Sequence, residues 1–161
     1  MKFAIIYHSE SGNTKKVGEM IAQGAENAGN VEARAMSIDA IDEEFLTEAK
    51  AVMFGTPTYF ATYSWQMKKW LDTTRPKVAG KLGGVFATAN FFGGGAEIAE
   101  QALLMHLLAL GMLAYSVGTA CGQPFTHLGT VAIKTGNEFE QDRAKIYGER
   151  FAAKALELFG E

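Results

Sequence analysis

The chain has 161 residues, of which 48% are hydrophobic and 20% charged, the balance of a folded globular protein. This length suits one domain spanning residues 1–161, and no apolar stretch is long enough to cross a bilayer. The net charge of −3 comes without a basic stripe, which argues against a nucleic-acid partner. The single cysteine, Cys121, excludes an intrachain disulfide and paired-cysteine zinc sites. We expect a cytoplasmic protein that binds no metal and no membrane.

Apolar runs alternate with helical patterns along the chain. The predicted strands are 2–7, 31–38, 51–55, 84–89 and 112–117; the predicted helices are 14–28, 64–74, 96–110 and 141–159, with a short acidic helix or turn at 42–49. Apolar strands separated by helices predict a parallel sheet covered on both faces. Right-handed crossovers then produce an α/β fold, a three-layer, doubly wound five-stranded parallel sheet with the strand order 2-1-3-4-5.

The stretch SESGNT lies between the first predicted strand and the first predicted helix. Ligands of such folds bind beyond the carboxyl ends of the strands. Hydroxyl, amide and backbone donors at a helix N-terminus suit a phosphate-sized anion, and the loop contains no lysine or arginine. The alternative is a cluster of helix-capping residues. The position in the fold favours anion binding by Ser9, Glu10, Ser11, Gly12, Asn13 and Thr14.

Other nucleotide and nucleophile motifs are absent from the chain. The sequence has no G-x-x-x-x-G-K-[ST] loop, no G-x-G-x-x-G fingerprint and no G-x-S-x-G elbow. The Ser-x-Ser-Gly-Asn-Thr loop instead resembles the FMN phosphate loop of the flavodoxin-like superfamily, and the resemblance extends over nearly the whole chain. It implies a flavodoxin-like fold with FMN as the cofactor.

Aromatic side chains follow the third predicted strand, in the segment GTPTYFATYSWQMKKWLD. Flat apolar rings at a strand end suit a planar ligand, although they could also cover the core or fill an oligomer contact. The Gly-Thr-Pro-Thr-aromatic-Phe pattern resembles the WrbA-type NAD(P)H:quinone oxidoreductases, which usually have arginine where Tyr59 stands. The resemblance implies flavin contacts from Pro57, Thr58, Tyr59 and Phe60.

The segment FATANFFGGGAE follows the fourth predicted strand. Its three consecutive glycines permit close backbone approach to a ligand, or form a flexible turn before the next helix. The same family has a glycine-rich loop around the flavin ring here, although this chain's version is one residue longer. We therefore expect cofactor contacts from Thr88, Ala89, Asn90, Phe91, Phe92, Gly93 and Gly94.

The chain also departs from that family. The usual insertion after the second strand is missing, and a flavin-contacting histidine is replaced within the ALGM stretch at 109–112. Phe125 stands where a tyrosine is usual in that family. The residues predicted to bind the substrate are Tyr59, Phe92 and Phe125. His127 is a solvated loop histidine or a proton donor. The helix containing LLMHLLAL is apolar nearly all round, which is typical of burial or of a subunit contact and favours a homodimer.

The sequence leaves three functions open, and the resemblance favours the first of them. The first is an FMN enzyme that takes a hydride from NADH or NADPH and reduces a quinone or another flat acceptor, with no catalytic side chain required. The second is a flavodoxin that passes single electrons between redox protein partners, although such carriers are usually more acidic than −3. The third, a flavin-less module, is the one that the intact SESGNT loop disfavours most.

Overall fold

The computed structural model describes residues 1–160; Glu161, the last residue of the predicted domain, lies outside them. Strands and helices alternate along most of the chain. The strands are β1 (Lys2–Tyr7), β2 (Glu32–Ser37), β3 (Ala51–Tyr59), β4 (Thr62–Tyr63), β5 (Leu82–Ala89), β6 (Leu113–Ala114) and β7 (Thr130–Ile133). The helices are α1 (Asn13–Glu26), α2 (Glu43–Glu48), α3 (Trp65–Thr74), α4 (Ala96–Ala109) and α5 (Glu138–Phe159).

The sheet runs in the order β2-β1-β3-β5-β6, with every neighbouring pair parallel. Helices cover both of its faces, because one apolar cluster joins the sheet to α1 and α5 and another joins it to α2, α3 and α4. The predicted fold class and strand order are therefore confirmed. Every residue of β5 is buried, as a central parallel strand requires.

The predicted fifth strand, 112–117, is wrong in its extent. Only Leu113 and Ala114 form a strand, β6, and the chain then leaves the sheet through Val117, whose φ is +66°. The edge position resumes at β7, which also pairs in parallel with β5. The segment GQPFTHLG thus lies between two short strands that share one edge of the sheet, and not beyond a finished strand.

The third strand is longer than predicted and ends in a hairpin. β3 continues through Pro57 to Tyr59 and then pairs with β4 in antiparallel fashion. The two turn residues, Phe60 and Ala61, have φ values of +48° and +61°, the left-handed pair typical of a type I′ turn. A two-residue hairpin therefore presents the aromatic segment at the carboxyl end of the sheet.

No helix among residues 1–160 is both long and apolar enough to span a membrane. Within the same residues, no three side chains of His, Cys, Asp or Glu are grouped closely enough to hold a metal ion.

Candidate functional site

The loop between β1 and α1 leaves the N-terminus of α1 without a side-chain cap. The N-cap residue is Gly12, with φ +86°, and it makes no side-chain capping bond. The capping alternative for SESGNT is therefore not supported, since serine, threonine and asparagine side chains leave the first N–H groups of α1 to another acceptor. Ser9 Oγ is buried and has no hydrogen-bond partner within residues 1–160. Both features fit a small anion that accepts these hydrogen bonds.

A cavity of about 220 Å³ opens beside this loop, and we call it the polar pocket. Three segments that are far apart in sequence meet there, at the carboxyl ends of β1, β3 and β5, as the topology requires. Its lining residues are Glu10, Ser11, Asn13, Thr14, Pro57, Thr58, Tyr59, Thr88, Ala89 and Asn90. All ten are among the residues predicted from the sequence to contact the cofactor.

Threonine side chains tie the three segments together. The hydroxyl oxygens of Thr14 and Thr88 lie 2.8 Å apart in a buried hydrogen bond. Thr58 Oγ1 donates to the carbonyl of Thr88 at 2.9 Å. Because these bonds join α1, β3 and β5, they hold the walls of the polar pocket at a defined separation. Thr14 and Thr88 therefore line the polar pocket while their hydroxyls are hydrogen-bonded to each other.

Aromatic rings lie on one side of the polar pocket. Tyr59 lines both that pocket and an open hollow of about 630 Å³, which we call the aromatic hollow. The other residues of the aromatic hollow are Phe60, Thr62, Tyr63, Trp65 and Lys68. Phe60 sits at the hairpin tip with its side chain fully exposed, and Trp65 is 64% exposed. Large apolar groups held in solvent beside a cavity indicate a binding surface.

The glycine-rich segment after β5 forms another side of the site. Phe91, Phe92, Gly93 and Gly94 line a neighbouring hollow that shares Ala89 with the polar pocket, and Phe92 is 93% exposed. Gly95 ends the segment with φ +88°, and a Cβ there would lie 2.6 Å from the Cβ of Ala61. Glycine thus lets this loop contact the hairpin tip, so that the two predicted flavin loops touch.

Phe125 and His127 lie elsewhere. Both line a cavity that shares no residue with the polar pocket or the aromatic hollow, so the structure does not bring Phe125 together with Tyr59. The role of Phe125 in substrate binding stays a prediction. His106, interpreted as structural, is bonded through Nδ1 to the hydroxyl of Tyr63 at 3.1 Å. Cys121 is exposed.

Two residues that the sequence analysis did not single out belong to the same region. His8 directly precedes Ser9, and both of its ring nitrogens are buried without a hydrogen-bond partner among residues 1–160. Burial lowers the pKa of His8 and so favours the neutral imidazole, although the Glu10 carboxylate acts in the opposite direction. Gln66, from α3, donates to Glu10 Oε1 at 2.9 Å. The position of His8 directly after the first strand could have indicated from the sequence that it lies near the site. Gln66 reaches the site only because the fold brings α3 next to Glu10.

Tyr59 has a pKa raised by burial and by the neighbouring Glu10 carboxylate, so its hydroxyl stays protonated at neutral pH. The site therefore combines hydroxyl and amide groups, the Glu10 carboxylate and aromatic faces.

Known proteins resemble the chain in sequence and in structure. The family of NADPH-dependent FMN reductases matches residues 43–122. A flavodoxin of Clostridium saccharobutylicum is 46% identical over 160 residues, covering 99% of this chain and all of the relative. An NAD(P)H dehydrogenase (quinone) of Archaeoglobus fulgidus is 30% identical over 190 residues, covering 98% of each chain.

Among solved structures, a WrbA-like flavodoxin of Agrobacterium tumefaciens superimposes with a TM-score of 0.81 at 28% identity, covering 97% of this chain and 98% of that one. The full-length match to a flavodoxin at nearly half identity agrees with the sheet order and with the uncapped loop after β1. The chain belongs to the flavodoxin-like family of FMN-binding oxidoreductases.

Proposed function

We propose that this protein is a flavodoxin-type electron carrier that holds FMN in the polar pocket and exchanges electrons with redox protein partners. The observation that carries the proposal is the uncapped N-terminus of α1 with the buried, unpartnered Ser9 hydroxyl, next to a cavity that adjoins two hollows with exposed aromatic rings. The 46% identity with a flavodoxin over its whole length supports it further.

The residues present fit FMN. The phosphate would accept hydrogen bonds from Ser9, Ser11, Asn13 and the first N–H groups of α1, which need an anionic acceptor. The ring would lie between the segment 57–60 and the segment 88–94, whose side chains line the polar pocket and the hollow beside it. When bound, FMN supplies the redox chemistry by accepting and releasing electrons.

The protein's own contribution is position and exposure. The Thr14–Thr88 and Thr58–Thr88 bonds hold the pocket open at one width. Phe60 and Trp65 expose apolar surface in the aromatic hollow, and Phe92 does so in the hollow that shares Ala89 with the polar pocket. Such surface suits a partner protein that docks weakly and brings its own redox centre close. Such docking relies on apolar contact more than on steering, in keeping with the net charge of −3.

A second function, NAD(P)H:quinone oxidoreductase, is favoured by the aromatic hollow. A hollow of about 630 Å³ next to Tyr59 has room for a flat acceptor between Phe60 and Trp65. In that case NADH or NADPH delivers a hydride, and with one further proton the quinone becomes a hydroquinone. The relative from Archaeoglobus fulgidus carries this activity in its name.

A homodimer is part of the proposal. Helix α4 exposes Ile98, Met105 and Leu108, each about half accessible, and Leu113 of β6 is exposed nearby. Leu103 and Leu107 of the same helix are fully buried, so the apolar stretch serves both the core and an exposed face. A single domain over residues 1–161 and a cytoplasmic location stay predictions.

One anaerobic experiment separates the two functions. The purified protein is saturated with FMN, and its flavin absorbance is followed after addition of NADH or NADPH, then of benzoquinone. A carrier is not reduced by either nucleotide within minutes, yet titrates with dithionite in two separable one-electron stages. Rapid bleaching by NADH or NADPH, followed by multiple turnovers with benzoquinone, establishes the quinone reductase instead. Failure to bind FMN overturns both.

A further inference from the structure

The edge of the sheet contains a gap. β6 pairs with β5 at Leu82 and Gly83, and β7 pairs with it from Phe86 onward. Between them, the carbonyl of Val85 is bonded not by a strand but by the buried hydroxyl of Tyr147, at 3.2 Å. The chain that would have continued the edge strand instead loops outward over residues 115–129. At the gap, a side-chain hydroxyl thus provides the hydrogen bond that the backbone of an edge strand would otherwise donate to β5.

A cavity of about 260 Å³ lies at this gap, and we call it the strand-gap cavity. It is lined from α4, from α5 and from the outward loop. Its residues are Glu97, Glu100, Phe125, Thr126, His127, Gly129, Val131 and Arg143. None of them lines the polar pocket, but Glu97, Val131 and Arg143 also line the hollow formed by residues 91–94, so the strand-gap cavity adjoins the proposed FMN site on that side.

Glu100 is a buried carboxyl that faces the strand-gap cavity. Its side chain is 1% exposed, and Oε1 has no hydrogen-bond partner among the described residues. A Cβ at position 129 would lie 2.6 Å from this oxygen and 2.1 Å from the carbonyl oxygen of Val85, so only glycine can pack its backbone against both. Burial, reinforced by Glu97, raises the pKa of Glu100 well above its ordinary value. A neutral carboxyl offers one O–H donor and one acceptor.

Arg143 faces the same cavity from α5. Its Nη2 group donates to the carbonyl of Val131, while its Nε–H is buried without a partner among residues 1–160. Within the same residues, Arg143 and Glu100 do not form an ion pair. A buried N–H donor without an acceptor is unfavourable. The two groups thus flank a space that a small acceptor-bearing molecule would satisfy.

We propose that the strand-gap cavity binds a small monocarboxylic acid with an apolar or aromatic body. One carboxylate would accept hydrogen bonds from Arg143 Nε and from the Glu100 hydroxyl, and so satisfy both unpartnered groups. Phe125 and Val131 would contact the apolar body. The cavity's 260 Å³ limits the ligand to roughly ten non-hydrogen atoms, since one water occupies about 30 Å³ in the liquid.

The charges around the cavity define the ligand further. Arg143 is the one permanent cation among its lining residues, and the exposed carboxylate of Glu97 opposes an anion from the rim. His127 is exposed at the same rim. A singly charged carboxylate matches the single, half-buried guanidinium of Arg143, whereas a dianion would meet repulsion from Glu97 that nothing offsets.

Benzoate is the probe, with benzamide as its uncharged analogue, titrated by calorimetry into FMN-saturated protein. We expect saturable binding of benzoate and about tenfold weaker binding of benzamide. Glu100→Gln should bind benzoate within about threefold of the parent, because an amide also donates and accepts. Glu100→Met and Arg143→Met should each weaken binding about tenfold or more. Glu97→Gln should tighten it.

Arg34→Met is the matched control, because Arg34 lies on β2 at the opposite edge of the sheet and its removal should leave benzoate binding unchanged. Folding of each variant is checked by its thermal transition. If Arg143→Met does not fold, amide chemical-shift changes in the parent protein decide, and they should cluster at α4, α5 and residues 125–131. No saturable binding up to about 10 mM, equal affinity for benzamide, or shifts confined to the polar pocket each overturn the proposal. Retained FMN binding in that event leaves the electron-carrier function standing.

Discussion

The hydroxyl oxygens of Thr14 and Thr88 lie 2.8 Å apart, although the residues are separated by 74 positions in the chain. Thr14 belongs to the first turn of α1, and Thr88 lies near the end of β5. Both side chains are buried, so neither hydroxyl can exchange its partner for bulk water. This bond joins the loop proposed to hold the phosphate to the strand that leads into the loop proposed to hold the ring.

Replacing Thr88 by valine keeps the side-chain shape and removes the bond. The Thr14 hydroxyl then stays buried without this partner, and we expect the free energy of unfolding to fall by about 1–3 kcal/mol. Urea unfolding at pH 7 measures the change. Adding Thr14→Val should recover part of the loss, because the orphaned hydroxyl disappears. If the loss in the double variant equals the sum of the losses in Thr88→Val and Thr14→Val, the two hydroxyls do not depend on each other.

The Ser9 hydroxyl is predicted to hold the FMN phosphate. Hydrogen bonds to a charged acceptor contribute about 1.5–3 kcal/mol, so Ser9→Ala should weaken FMN binding about tenfold to a hundredfold. Quenching of FMN fluorescence measures the dissociation constant. Ser116→Ala, in the loop outside the polar pocket, is the matched control and should bind FMN as the parent does. Unchanged affinity in Ser9→Ala would remove Ser9 from the site.

The hairpin tip stores backbone strain at Ala61, whose φ is +61°. A left-handed residue other than glycine costs about 1–2 kcal/mol, so Ala61→Gly should raise the thermal transition, offset in part by the entropy of the unfolded glycine. Ala153→Gly is the contrasting control: Ala153 is exposed within α5, where glycine should destabilise by about 0.5–1 kcal/mol. A lower transition for Ala61→Gly would contradict the strain at the tip.

Contact between the hairpin tip and the glycine-rich loop depends on Gly95. Alanine there would place its Cβ 2.6 Å from that of Ala61, at a φ of +88°. We expect Gly95→Ala to destabilise the protein and to weaken FMN binding, because the two loops must move apart. Ala61→Gly in the same chain removes the nearer of the two clashing atoms, leaves the Cα of residue 61 at 2.8 Å, and should therefore restore only part of both losses. Double-variant stability and FMN affinity measure this coupling, and strictly additive effects would disprove it.

Glu100 makes stability depend on pH. Its pKa is raised in the folded protein by burial first and by Glu97 second. The folded state therefore retains a proton that the unfolded state releases once the pH passes about 4.3, the ordinary value for a glutamate. Its contribution is complete below that pH and is lost as pH rises toward the folded value, with a slope of at most about 1.4 kcal/mol per unit.

Glu100→Gln has no such proton to lose. Relative to the parent, this variant should gain stability as the pH is raised from 4.5 to 7, because all other titrating groups are common to both proteins. Urea unfolding at several pH values gives the difference directly. Glu97→Gln, which changes an exposed carboxylate, should show a much smaller trend. A difference between Glu100→Gln and the parent that does not vary with pH would show that Glu100 is ionised in the folded protein.

Local patterns were enough to predict most of the site. The SESGNT loop follows a buried strand, and in a parallel sheet the strand ends share one edge, so Ser11, Thr58 and Asn90 were expected together and all line one pocket. The hairpin at Phe60 was not predicted. Its turn lacks the Asn-Gly or Asp-Gly signal, and the left-handed conformation of Phe60 and Ala61 is imposed by the pairing of β3 with β4.

The fifth strand shows a different limit. Residues 112–117 are apolar enough for a strand, yet only Leu113 and Ala114 form one, and β7 was missed. Strand extent depends on which backbone groups meet β5, and that pairing is a tertiary property. Phe125, which the resemblance assigns to substrate binding, lines a cavity with Glu100 and Arg143, and its role stays a prediction.

By itself, the sequence determined the alternation of strands and helices, the sheet order and the donor loop after β1, because these follow from local hydrophobic periodicity and from residue chemistry. Only the tertiary structure decided which side chains share a cavity. It joined Thr14 to Thr88 and left Ser9 Oγ without a partner. It also buried Glu100 beside a cavity that Arg143 lines as well, at a gap in the sheet edge. Such contacts depend on the distances between segments remote in the chain, which no local pattern contains.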